Sequence, residues 1–95
     1  MTPTESIIRK DLLEKLEQIR HQLSRAHHDI NNPLAVISGN VELLNELTKA
    51  LGVDEELNGP LTDIEKAVEL LTENVDRLMV VRKILTDLSD QLSES

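Results

Sequence analysis

At 95 residues the chain has room for one domain, and with 39% hydrophobic residues but no Phe, Trp or Tyr its core must be built from Leu, Ile, Val, Met and Ala. Three Gly and three Pro are too few for the turn-rich connections of a small sandwich or barrel, which excludes an all-β fold. Eighteen acids against ten bases give a net charge of −8, which opposes the counterion release that nucleic-acid binding draws on; with no aromatic for base stacking, nucleic acid is not expected as a partner.

In chain order, Met1-Thr2-Pro3-Thr4-Glu5 has no basic region followed by an apolar stretch, so no secretory signal is read there. A first helix is predicted over about residues 4–51. Its apolar positions recur as Leu12, Leu16, Ile19, Leu23, Ala26, Ile30, Leu34, Ile37, Val41, Leu44, Thr48 and Leu51, in steps of four and three that mark a coiled-coil seam. The alternation slips once, at Ala26, Ile30 and Leu34, and Pro33 lies inside the slip. A proline there removes one helical hydrogen bond and presses on the carbonyl a turn back, so a bend is expected between Asp29 and Pro33.

Gly52 stands where a helix C-cap needs it, and residues 52–59, with Asp54, Glu55, Glu56 and Asn58-Gly59, are predicted as the connection. The acidic run is read as a solvated tip. Pro60 suits the first turn of a second helix, predicted over about 60–92 and carrying its own seam at Leu61, Ile64, Val68, Leu71, Val75, Leu78, Val81, Leu85, Leu88 and Leu92. The longest apolar runs, Leu34 to Ile37 and Leu78 to Val81, have four residues each, against about 20 for a bilayer span, so no membrane contact is expected. The absence of Cys removes disulfides and thiolate chemistry. The chain is read as cytoplasmic.

A helix over residues 4–51 would be roughly 70 Å long, where a compact domain of about 100 residues has a radius of gyration near 13 Å. The fold class is therefore all-α, a long antiparallel helical hairpin. Two helices side by side leave part of each apolar stripe wet, and Ile7, Ile8, Leu12, Leu13 and Leu16 make the first stripe wide. A homodimer, two hairpins closing by two-fold symmetry into a four-helix bundle, covers both stripes.

The densest cluster of reactive side chains is His27-His28-Asp29-Ile30-Asn31-Asn32-Pro33-Leu34. At 100° per residue His27 falls on the seam, whereas His28 lies about 120° to 160° from it and faces solvent. Ser24 and Arg25 precede His28 by a turn and Asn32 follows it by one, which gathers a cation, an imidazole and an amide on one face. The neutral ring of an exposed His can attack phosphorus, and Asp29 beside it can fix the tautomer or take the proton. By spacing alone, a solvated surface histidine is the favoured reading. A metal site from His21, His28 and Asp29 is thin on donors, and no metal or cofactor site is expected.

At these residues the sequence resembles the dimerisation and histidine-phosphotransfer domain of two-component sensor histidine kinases, whose pattern of His, acid, aliphatic, variable residues, Pro and Leu stands here as His28, Asp29, Ile30, Asn31, Asn32, Pro33 and Leu34. The resemblance continues through Ala35 to Leu44, Asp63 to Leu78 and Ile84 to Ser89, and spans about Leu16 to Leu92. It implies that His28 is the phosphoacceptor, Asp29 its acid/base partner, Asn32 the residue that helps a partner dephosphorylate its response regulator, and Pro33 the helix bend. Asn31 stands where the family often has Arg, and Arg25 is the cation available for phosphate instead. His27 is an addition to the pattern; its inward direction and lack of a following acid make it the weaker acceptor.

The implied partners are a second copy, a response-regulator receiver domain and an ATP-binding kinase domain in cis or trans. No glycine loop that could cradle phosphates is present, so autonomous ATP-dependent kinase activity is not expected. The chain reads as a free-standing phosphotransfer protein, a reading that the start at Met1 favours slightly, or as a piece of a larger kinase. The competing functional reading is a structural or inhibitory helical hairpin, which would tolerate replacement of His28.

Overall fold

The computed structural model describes residues 2–94; Met1 and Ser95, which the sequence reading takes as the start and stop of the chain, lie outside the described residues. Two helices account for nearly all of it: α1 spans Pro3–Leu51 and α2 spans Asp54–Glu94, with no strand among the described residues. The expected all-α hairpin is the fold.

Sequence-local chemistry sets the helix ends. At the start of α1 the Glu5 amide donates to Thr2 Oγ1 at 3.1 Å while the Thr2 amide donates to Glu5 Oε2 at 3.4 Å, a reciprocal capping box around a proline in the first helical position. At its end the Gly52 amide bonds the Lys49 carbonyl (3.2 Å) and the Val53 amide bonds the Thr48 carbonyl (2.9 Å). This pair of bonds is a Schellman cap. It requires a left-handed residue, which Gly52 supplies at φ 73° without a side chain to clash.

The connection is shorter than expected. Only Gly52 and Val53 lie between the helices, and α2 begins at Asp54 rather than near Pro60. Asp54, Glu55 and Glu56 occupy its first turn, where negative side chains meet the positive end of the helix dipole. Asn58, Gly59 and Pro60 are therefore helical despite their turn propensity. Pro60 withholds one amide from the second turn, a local loss in an exposed segment.

The chain divides into two compact units. One comprises residues 29–75, and the other residues 1–28 with 76–95. In the 29–75 unit the buried residues of α1 are Leu34, Val41 and Thr48, seven apart, and those of α2 are Leu61 and Val75 with half-buried Val68 midway. Asn45 Nδ2 donates across this unit to Glu65 Oε1 at 2.8 Å. In the other unit Leu16 is buried, and Leu13, Leu23, Leu78, Met79, Leu85 and Leu92 are half-buried. Polar groups share that interior: the Nε atoms of Arg20 and Arg82 are buried with no hydrogen-bond partner among the described residues. The exposed Lys15 ammonium, 2.7 Å from Asp11, is held above its ordinary range chiefly by the hydrogen bond to that carboxylate.

Only alternate members of the apolar seam are buried within the chain. Leu34 and Val41 are covered, whereas Ile30, Ile37, Leu44 and Leu51 stay exposed on α1, as do Leu57, Ile64 and Leu71 on α2. In the other unit Leu12, Ile19, Val81 and Leu88 are likewise exposed. Half-buried polar residues stand between the buried apolar ones, namely Asn31, Ser38 and Asn45 in one unit and Arg20 and His27 in the other, and of these Asn45 and His27 contact α2 through Glu65 and Asp76. The chain thus carries two faces, a mixed one used internally and an apolar one left open.

Candidate functional site

The cluster singled out in the sequence lies in the middle of α1, which runs unbroken through Pro33. Pro33 cannot donate to the carbonyl of Asp29, one helical bond fewer at this point, and the proline itself is exposed. His28 is the last α1 residue of the first unit and Asp29 the first of the second.

Within the unit of residues 1–28 and 76–95, the two adjacent histidines are placed differently. His27 is half-buried, its side chain 26% exposed, and its Nε2 lies 3.1 Å from Asp76 Oδ1 on α2. His28, a further 100° round the helix, is exposed, and so is Arg25 three residues earlier on the same face. An imidazole on an exposed helix face can be approached from solvent along its ring plane, the direction in which a ring nitrogen presents its lone pair to a phosphoryl group. The Arg25 guanidinium is the nearest cation in sequence to neutralise that group.

In the 29–75 unit Asp29, Asn32 and Pro33 are all exposed and Asn31 is half-buried. Asp29 directly follows His28, and Asn32 comes one turn further along the same helix. Asp29 thus follows His28 in sequence but points about 100° further round the helix, and Asn32 stands at the four-residue spacing of a neighbour on the face of His28.

Asp76 was not apparent from the sequence. It is 49 residues from His27 and shares no motif with it. Nothing short of the pairing of α1 with α2 reveals the contact, although the inward direction of His27, readable from the 3.6-residue period, signals that a partner on the other helix is needed.

The model of a family described as the His Kinase A (phospho-acceptor) domain matches residues 18–90, which contain the whole cluster and most of both helices. No curated protein and no solved structure matches the chain.

Proposed function

The chain belongs to the His Kinase A phospho-acceptor domain family, and on that premise we propose that His28 accepts a phosphoryl group and exchanges it with the receiver Asp of a response regulator. The observation that carries this reading is the exposure of His28, followed at once by Asp29, on an unbroken helix inside the matched segment. In the proposed step a His28 ring nitrogen forms the bond to phosphorus as the bond to the leaving oxygen breaks. Asp29 holds or removes the proton on the ring, Arg25 offsets phosphate charge, and Asn32 orients the groups that stand over the ring when a receiver docks.

We further propose that the active form is a homodimer on the cytoplasmic side. Two facts support it. The open stripe of Ile30, Ile37, Leu44 and Leu51 on α1 and Leu57, Ile64 and Leu71 on α2 follows one helical face, the pattern of a bundle seam. The chain exposes 7160 Å², where a compact monomer of its mass exposes about 5,500 Å². No helix among the described residues is long and apolar enough to cross a membrane.

The test is transfer from receiver domains phosphorylated in advance. Phosphate should appear on the chain as an acid-labile, base-stable adduct and be lost in His28→Gln. Undiminished labelling of that variant contradicts the assignment, and no transfer from any receiver favours the structural hairpin.

A further inference from the structure

The unit of residues 1–28 and 76–95 has a cationic interior in an acidic chain. Acids outnumber bases eighteen to ten over the whole sequence. Yet among the described residues every Asp and Glu of this unit is exposed, while Arg9, Arg20 and Arg82 are half-buried. Two of these arginines stand at one level. The contact of His27 Nε2 with Asp76 Oδ1 fixes the register of α1 against α2 here. Arg20 lies seven residues before His27 and Arg82 six residues after Asp76, about 10.5 Å and 9 Å from that contact in the same direction along the antiparallel pair. Their heights along the hairpin therefore differ by about 1.5 Å. The Nε atoms of both are buried with no hydrogen-bond partner among the described residues. We propose that Arg20 and Arg82 bind a free tetrahedral dianion of the phosphate or sulfate class between the two helices.

The acid nearest to either arginine in sequence does not meet the need. Glu17 Oε2 lies 3.1 Å from Nη1 of Arg20, but the Glu17 side chain is 67% exposed, and an exposed pair one turn along a helix contributes little. It engages the outer end of the guanidinium and leaves the inward Nε without an acceptor. A water could accept from each Nε, yet it would leave two like charges at one level of a half-buried interior, where repulsion is stronger than in bulk water. An anion satisfies both the donors and the charge. Two monocations call for two negative charges. Guanidiniums that arrive from opposite helices also need acceptor oxygens pointing in divergent directions; a tetrahedral oxyanion offers these, whereas a carboxylate turns both oxygens to one side. The site lies two turns of α1 from His27 and does not depend on which histidine carries phosphate.

Arginine Nε–H groups give separate signals in nitrogen-15 correlation spectra, so the full chain can be titrated with sulfate, and then with inorganic phosphate, at constant ionic strength held by sodium chloride. The signals of Arg20 and Arg82 should shift saturably with a shared midpoint, while those of exposed Arg25 and Arg77 change little. Arg82→Met, followed at Arg20, should weaken the midpoint by about 10- to 150-fold, the loss of a hydrogen bond to a charged group. Arg82→Lys keeps the stem and the charge and should bind more weakly than wild type but more tightly than Arg82→Met; circular dichroism checks that both variants are folded, and Arg20→Met followed at Arg82 repeats the measurement from the other helix. Methyl phosphate shows how the ion is held. Its exclusion places all four oxygens between the helices, and its binding leaves one oxygen toward solvent; both results keep the site. Equal, unsaturating shifts at all arginines, an unchanged midpoint in the Met variants, or acetate binding as tightly as sulfate overturns the inference. None of these results bears on transfer from a receiver to His28, so the two proposals fail separately.

Discussion

The open apolar face makes Leu44 the position at which self-association is best tested. Within the chain its side chain is 44% exposed. Complete burial of a leucine contributes about 1.5 to 3 kcal/mol, so covering the remaining 44% on association contributes about 0.7 to 1.3 kcal/mol per copy. A two-fold dimer uses each position twice, which brings Leu44→Ala to about 1.3 to 2.6 kcal/mol per dimer and, at about 1.4 kcal/mol per decade, weakens the dimerisation Kd by about 10- to 70-fold. Any cavity left between the copies adds to this. Sedimentation equilibrium over a dilution series reads the shift directly and separates it from the stability the same residue contributes within one chain. Leu34→Ala is the control, because Leu34 is already buried inside the chain at 7% exposure; it should lower the melting temperature with a smaller effect on Kd. A wild-type chain that is monomeric at every concentration refutes the reasoning, as does a Leu44→Ala variant with an unchanged Kd.

Leu34→Ala should destabilise the fold by about 2 to 5 kcal/mol, seen as an earlier denaturant midpoint; an unchanged midpoint would remove Leu34 from the core. Gly52→Ala should cost about 1 to 2 kcal/mol, because its φ of 73° is strained for an L side chain although nothing lies within 4 Å of the added Cβ. A neutral effect on thermal unfolding would show that the cap can rearrange. Asp29→Asn should slow phosphorylation of His28 by about 10²- to 10⁴-fold in single-turnover transfer, the range of a lost general base. Asn32→Ala should leave that step nearly intact and instead lengthen the lifetime of a phosphorylated receiver. Equal losses at the same step in both variants would mean that the two residues share one docking role.

Both helices could be read from the sequence because their apolar steps of three and four persist for tens of residues, longer than any loop could sustain by chance. The division of those positions between interfaces could not. Leu34 and Leu44 belong to one seam by spacing, yet the first is buried within the chain and the second is open. Hydrophobic periodicity records every surface that is ever covered and does not say by which partner. The polar positions Asn31, Ser38 and Asn45 are half-buried, and Asn45 bonds Glu65 on the other helix; their residue types gave no hint of it. At the connection, Asp54 to Pro60 has turn composition but folds as helix, since acids in a first turn and the Schellman cap just before it outweigh local propensity. The site was legible as far as one helix carries it: the outward direction of His28 and the inward direction of His27 follow from 100° per residue. Asp76 comes from the other helix, and single-helix geometry has no information about it.

Whether His28 takes the phosphoryl group is decided by locating that group on the chain. After phosphorylation by a cognate receiver or ATP-binding domain, peptides covering residues 21–33 should be sequenced by a fragmentation method that preserves the nitrogen–phosphorus bond. The added phosphoryl mass is expected on His28 alone, with His21 and His27 unmodified. Phosphate on His27 or His21, with His28 unmodified, would contradict it.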